Sequence, residues 1–404
     1  MKPSIDEKKL PLLLQTLAKI GLNSHGGIDR VAFSKADIEG RLWVAEQMER
    51  AGMSVYTDAA GNTVGRYPGR ENARPPIVLG SHTDTVPNGG KFDGALGVLA
   101  SVDCIHALNR EKLHLRHPVE VINFAAEEAT MAGGTFGSQA MTGKINLARL
   151  DKPAWDGRIV REHLKDAGLD PDNLAQAARG AGSVAAFLEL HIEQGGILAS
   201  SEIPIGIVDG IVGIRRYDVK LNGYANHAGT TPMDLRQDAL VMAAAFILDV
   251  RGISVHWGIV GTVGTVHVHP GAPNVIPGRV ELSVEIRGLD EKMIENAEGD
   301  LKEKAEKAKA DFERITYVKP VKSALLITET IIEACKELSL DYKIMGSGAG
   351  HDAMSMASIA PQAMLFVPSQ KGISHSPDEF TDMENCILGA NILLSSLIKL
   401  DRKL

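Results

Sequence analysis

Four short apolar runs in this chain each lead into a residue able to hold a cation or move a proton, and that recurrence limits what it can fold into. Ile77-Val78-Leu79-Gly80 runs to His82, Val119 to Ala125 runs directly to Glu127 and Glu128, Ala186 to Leu190 ends at His191, and Ala363 to Pro368 precedes His375. Short apolar runs of this kind, bounded by turn residues, are read as buried strands. Between the first two, Gly94 to Leu108 places Leu96, Leu99, Ala100 and Ile105 at helical spacing. Strand, loop and helix therefore alternate, with polar residues at the C-terminal ends of strands. An open α/β sheet puts its crevice there, because strand ends converge while the loops beyond them are free to vary. The spacing predicts an α/β domain with a sheet flanked by helices.

A segment of different character interrupts this pattern. It reads strand (Tyr217 to Leu221), helix (Asp234 to Val250), strand (Val260 to Val268), strand (Arg279 to Arg287), helix (Asp290 to Phe312), strand (Ile315 to Val321). Val280, Leu282, Val284 and Ile286 alternate, which turns one face of their strand inward. The β-α-β-β-α-β order is a ferredoxin-like unit that can fold as an insertion. At 404 residues the chain is long enough for two cores. The expected division is 1–212 with 325–404 for a discontinuous catalytic domain, and 213–324 for the inserted one.

Charge and cysteine content narrow the partners. A formal charge of -8 offers no basic footprint for nucleic acid or an anionic membrane, so a small diffusible substrate is expected. The N-terminal residues meet charges before any apolar run, and Leu10 to Ile20 is too short and interrupted to span a bilayer. No signal peptide and no membrane segment are read. Cys104, Cys335 and Cys386 are too few and too scattered for a disulfide framework, which points to reduced thiols in a cytoplasmic protein.

The candidate site has the composition of a two-metal centre. His82, Asp93, Glu128, His191 and His375 supply three imidazoles and two carboxylates, a set that suits two divalent ions sharing a carboxylate. Asp93 is expected as the bridge, with His82 and His191 on one side each and Glu128 and His375 completing one ion apiece. Asp84, two residues after His82, is expected to accept the other ring N–H of that histidine. Adjacent side chains point in different directions, so one of Glu127 and Glu128 ligates and the other stays free. The free one, taken as Glu127, suits a general base. Zinc or manganese fits these ligands, and cobalt or nickel are accepted by the same donor types. The glycines before His351 lack the context of a nucleotide loop.

These phrases, with the inserted ferredoxin-like unit, resemble the dinuclear zinc amidohydrolases that include aminoacylases and zinc carboxypeptidases. Glu-Leu-His-Ile-Glu-Gln-Gly, at 189–195, is similar to the branch of N-carbamoyl-L-amino acid hydrolases, β-ureidopropionases and allantoate amidohydrolases. The resemblance covers essentially the whole chain. It implies a zinc-exopeptidase-like catalytic domain with a mixed sheet, and an inserted lid and dimerisation domain. It also implies that His82, Asp93, Glu128, His191 and His375 match the metal ligands and Glu127 the base. Arg287 resembles the binder of the substrate carboxylate, Asn274 and Gln194 resemble polar contacts to substrate, and His351 and Arg216 lie in further active-site phrases of the branch. His227 resembles the histidine that stabilises the oxyanion and that, in relatives, arrives from the partner subunit, so a homodimer is implied. One departure stands out: the Glu-Glu pair is usually followed shortly by Arg-Phe, whereas here the chain runs Ala129 to Ser138 without an arginine. The implied reaction is hydrolysis of a carbamoyl or ureido C–N bond in a small carboxylate. The alternative is deacylation of an N-acyl amino acid, or dipeptide cleavage, at the same two metals. A non-catalytic homologue would be expected to lack the base or a ligand, and here both are present.

Overall fold

The computed structural model describes residues 3–404. It divides into two compact units, one built from the chain up to Asp209 together with Ser323–Leu404, the other from Gly210–Lys322. The second unit thus begins at Gly210 rather than 213 and ends at Lys322 rather than 324.

In the larger unit the strands are β1 (Ser54–Thr57), β2 (Thr63–Tyr67), β3 (Ile77–His82), β4 (Val119–Phe124), β5 (Ala186–Ile192) and β6 (Ile205–Ile211). The smaller unit contributes β7 (Gly213–Asn222), β8 (Val260–His269), β9 (Arg279–Gly288), β10 (Asp311–Val318) and the short β11 (Val321–Lys322). Strands β12 (Tyr342–Ser347) and β13 (Gln362–Val367) follow on the return. The larger sheet runs β1-β2-β4-β3-β5-β13-β6, with β12 also on β6. Its four central strands are parallel: β3 pairs with β4 and β5, and β5 with β13. The flanking pairs β1–β2, β2–β4 and β13–β6 are antiparallel.

Every residue of β3, β4, β5 and β13 is buried. Covering both faces explains why the sequence shows unbroken apolar runs rather than alternation. One face, carrying Ile77, Leu79, Val119, Val121, Leu188, Leu190, Ala363 and Leu365, joins a core with helices Ala95–Arg110, Leu325–Glu337 and Met383–Lys403. On the other face Phe124 and Phe187 meet edge to face, centroids 5.9 Å apart. Helix Ala95–Arg110 lies very close to β5: a Cβ on Gly97 would stand 2.2 Å from the Leu190 carbonyl oxygen. The three cysteines are buried and free.

The smaller unit has sheet order β10-β7-β9-β8, with helices Ala239–His256 and Glu291–Lys307 between its strands. Val280, Leu282, Val284 and Ile286 of β9 all enter its core, as the alternation requires. The strand at 217–221 extends to Gly213–Asn222, and that at 315–321 is instead Asp311–Val318. The first helix starts at Ala239, not Asp234. Pro232 opens a 3-10 turn at Met233–Leu235, and the Asp238 side chain then caps the helix by accepting from Leu240 N and Val241 N. The second helix stops at Lys307, because Lys309 takes a left-handed φ of 51° and Phe312 enters β10. Two helices, Ala239–His256 and Met383–Lys403, are long and apolar enough to cross a membrane by length and composition. The second is half buried in the core of its unit, the first only one-third.

Candidate metal centre

The C-terminal ends of β4, β3, β5 and β13 and the loops after them carry the predicted ligands of the larger unit. His82 closes β3 opposite Phe124, and His191 lies in β5 opposite Phe366. Their rings are held alike. His82 Nδ1 lies 3.0 Å from the backbone oxygen of Asp84, and His191 Nδ1 lies 2.9 Å from that of Ile192. A carbonyl only accepts, so each Nδ1 carries a proton, and in the neutral ring each Nε2 presents a lone pair. Both lone pairs face one atom: Asp93 Oδ1 is 3.6 Å from His82 Nε2 and 3.3 Å from His191 Nε2. The other Asp93 oxygen faces a second set. His375 Nε2 lies 3.3 Å from Asp93 Oδ2 and 3.3 Å from Glu128 Oε1.

This grouping differs from the expected one in a specific way. His82 and His191 do not take one side each. They share the Oδ1 side, while Glu128 and His375 share the Oδ2 side. Strand order is the reason: β3 and β5 are neighbours, whereas Glu128 and His375 follow β4 and β13, which flank that pair.

Glu127 and Glu128 point apart. Glu127 Oε2 lies 3.7 Å from His82 Nε2, and Glu127 belongs to neither donor group. The amides of both residues are gripped by one carboxylate, Asp84, whose Oδ1 accepts from Glu127 N and Oδ2 from Glu128 N, each at 3.1 Å. Asp84 was expected to hold the ring of His82. The structure gives that task to its backbone carbonyl, with the nearer carboxylate contact at 3.7 Å, and uses the side chain to orient the Glu-Glu turn.

The electrostatics fit cations. Asp84, Asp93, Glu128, Glu189, Asp352 and Glu379 are all buried around these loops. Burial, then Asp352, Glu128, Asp84 and Asp93, push the Glu127 carboxyl well above its ordinary range. Hydrogen bonds to Asp93 and then Glu128 raise His375 to about 10, against burial. Burial opposes a charge on His191, yet its contacts with Asp93 raise it to about 9. Two imidazole Nε2 atoms and a carboxylate oxygen converging amid excess buried acid, with the Gly94 amide also donating to His191 Nε2 at 3.2 Å, form a donor set that divalent ions satisfy.

Gln194 Nε2 donates to Asp93 Oδ2 at 2.7 Å. His351 is buried edge-on to His191, centroids 4.6 Å apart, with its Nε2 2.9 Å from Ser347 Oγ. Sequence reasoning passed over Glu189, which joins Ser81 Oγ at 2.7 Å to Ala353 N at 3.2 Å. It also passed over Ser374 and Glu379, beside the His375 it singled out. The loop from Ala129 to Ser138, read as lacking an arginine, is folded around one from further along the chain. Arg149 donates to the backbone oxygens of Met131, Gly133 and Gly134 and stacks 5.2 Å over Phe136. Burial lowers its pKa to about 10.

The smaller unit gathers the remaining candidates among themselves. Arg216 and Arg287 both pair with Glu285, Arg287 at 2.6 Å, so two guanidiniums share one carboxylate. His227 Nδ1 accepts from Gly229 N at 3.0 Å and Thr230 N at 3.2 Å, and Ala228 N donates to the Asn274 backbone oxygen at 3.0 Å, placing those two loops side by side.

Residues 78–399 match the family model described as peptidase family M20/M25/M40. The chain belongs to that family. This M20 protein is 39% identical to an N-carbamoyl-L-amino acid amidohydrolase of Geobacillus stearothermophilus, over 98% of this chain and 99% of the relative. It is 34% identical to an allantoate amidohydrolase of Bacillus subtilis, over 96% of each. A crystal structure of an amidase of the hydantoinase/carbamoylase family from Burkholderia multivorans superposes with a TM-score of 0.91 at 34% identity, covering 99% of this chain and 98% of that one. This M20 chain is an enzyme, a hydrolase of C–N bonds other than peptide bonds, with side-chain groups able to hold metal ions.

Proposed function

We propose that this M20 enzyme hydrolyses the carbamoyl or ureido C–N bond of a small carboxylate, of the N-carbamoyl-L-amino acid or allantoate type. The observation that carries the reading is the division of Asp93: one oxygen faces His82 and His191, the other His375 and Glu128, and Glu127 stands beside the first pair without joining it. We assign those five residues as ligands of two divalent ions, zinc or manganese, with cobalt or nickel accepted by the same donors. Ions there supply a nucleophilic water at neutral pH and polarise the scissile carbonyl. Glu127 takes the proton of the attacking water and returns it to the leaving nitrogen, a step typically contributing about 10² to 10⁴ in rate.

Arg287 anchors the substrate carboxylate through its planar fork, with Glu285 and Arg216 setting its direction; Asn274 and Gln194 add polar contacts. With Nδ1 of His227 accepting from two amides, its Nε2–H is the donor, the form needed to stabilise a developing oxyanion. The inserted unit acts as a lid, and a second copy of the chain supplies His227. Two features support a homodimer. Strand β8 ends the smaller sheet with an open edge, and helix Ala239–His256 turns Val241, Leu248 and Val255 outward at heptad spacing, each more than 60% exposed. The buried free thiols suit a cytoplasmic setting.

Deacylation of an N-acyl amino acid is the second reading, favoured only by the unusual loop around Arg149. Ammonia release from allantoate, N-carbamoyl-L-amino acids and N-carbamoyl-β-alanine, beside acetate release from N-acetyl-L-amino acids, separates the two, with Glu127→Gln as the blank. Ammonia from a ureido compound, lost in the variant, is expected. Acetate alone would move the enzyme to the second reading.

A further inference from the structure

We propose that Glu379 is the positioning residue of the metal centre, fixing Asp93 from behind and tying the loop that bears His375 to the loop that bears Asp93. The inference rests on the metal reading above. Glu379 Oε1 accepts from Phe92 N at 2.8 Å and from Asp93 N at 3.1 Å. Its other oxygen lies 2.9 Å from Ser374 Oγ, and the same hydroxyl lies 2.7 Å from Asp93 Oδ2. One buried side chain thus holds both the main chain of the bridging aspartate and, through Ser374, the oxygen that faces His375.

Three observations single out this contact. It joins positions 286 and 287 residues apart, so it closes the two ends of the larger unit onto one site. Space is made for it: a Cβ on Gly90 would stand 2.1 to 2.3 Å from all three atoms of the Glu379 carboxyl group. Glu379 also forms no ion pair with a lysine, arginine or histidine among the described residues. A buried acid of that kind is not a structural salt bridge; its partners are the amides and hydroxyl that set Asp93. The segments it joins are tightly turned, with Gly94 at φ 62° and His375 at φ 54°, conformations that need support from outside the loop. Asp93 must present its two oxygens to two separate donor groups, and a rotation of its carboxylate would serve neither.

The test is manganese or zinc binding by the full-length, chelator-stripped protein, measured by titration calorimetry beside the melting temperature of the metal-free form. Glu379→Ala is expected to weaken binding by about 10- to 100-fold, the usual effect of removing a group that orients a ligand. Glu379→Gln keeps an oxygen for the two amides and offers N–H to Ser374, and is expected to bind close to the parent. Ser374→Ala is expected to lose affinity with little change in melting. Parental affinity in Glu379→Ala with a lowered melting temperature would make the residue merely structural and overturn the proposal. So would Glu379→Gln behaving like the alanine variant. If Glu379→Ala does not fold, unchanged affinity in Ser374→Ala overturns it. A parent protein that binds neither ion would instead remove the metal reading itself.

Discussion

Gly94→Ala tests the arrangement of the metal centre through a single methyl group. A Cβ at that position would stand 2.4 Å from His82 Nε2 and 2.5 Å from Cδ2 and Cε1, and these ring atoms are its three nearest neighbours. Non-bonded atoms settle near 3.5 Å, so the ring has to retreat by about 1 Å. Metal–ligand distances hold to within about 0.2 Å, which makes the displacement roughly five times the tolerance. The φ of 62° adds about 1 to 2 kcal/mol of backbone strain once a Cβ is present. That cost lowers the melting temperature by a few degrees without unfolding the chain. The expected result is a folded protein that binds one ion well and the other, on the His82 side, poorly. Misplacement by about 1 Å costs roughly 100-fold in rate, so kcat/KM on a ureido substrate should fall by at least that factor. Calorimetric stoichiometry and steady-state kinetics measure both. Full stoichiometry at parental affinity with parental turnover would refute the placement of His82 against the helix start.

Three further outcomes are expected. Arg287→Lys replaces a fork by a point charge, and kcat/KM for carboxylate substrates should drop by about 10- to 100-fold, equal to the ~1.5 to 3 kcal/mol of a charged hydrogen bond, while uncharged amide analogues are unaffected; an equal loss on both would remove Arg287 from carboxylate binding. Burial pushes Asp103 from 3.8 up to about 7, so between those values the folded chain holds a proton that the unfolded chain releases, and stability falls as pH rises from about 4 to 7, by up to about 4 kcal/mol. Asp103→Asn should flatten that slope in chemical denaturation, and an unchanged slope would refute the assignment. Leu248→Glu should convert a dimer into a monomer in light scattering; a parent that is already monomeric, or that sediments with lipid vesicles, would refute the second copy as the cover for that face.

Four of the five candidate donors, His82, Glu128, His191 and His375, were legible because each follows an apolar run, a signal contained in a few consecutive residues that is absent before Asp93. Their grouping was not, because which histidines share an oxygen of Asp93 depends on β3 lying beside β5 with β4 and β13 outside them, and strand order is a long-range property. Asp84 was noticed for its spacing from His82, but the sequence does not say whether its side chain or its carbonyl meets the ring. The start of helix Ala239–His256 had a readable signal in Pro232 and the cap at Asp238. Its neighbour's end did not, since nothing local marks Lys309 for a left-handed turn. Arg149 was illegible for a different reason: a loop's composition cannot show that a residue outside it will satisfy its carbonyls.

These limits share a physical origin that also bears on function. A residue that touches a divalent cation is drawn from a few donor types, here His, Asp and Glu, so its identity narrows the search. A residue that holds such a ligand in place needs only a polar atom at the right distance, and backbone carbonyls serve His82 and His191 as well as side chains serve Asp93. The supporting layer is therefore spread over Asp84, Gln194, Ser374 and Glu379, residue types common anywhere on a protein. Specificity follows the same logic: on the proposed reading the metals and Glu127 would be indifferent to which acyl group is cleaved, and Arg287 would grip a carboxylate common to ureido and acyl substrates, so the choice between them would fall to the loop closed by Arg149. Substitutions there should exchange substrates while leaving metal affinity intact, whereas substitutions in the layer behind Asp93 should lower metal affinity and turnover on every substrate together.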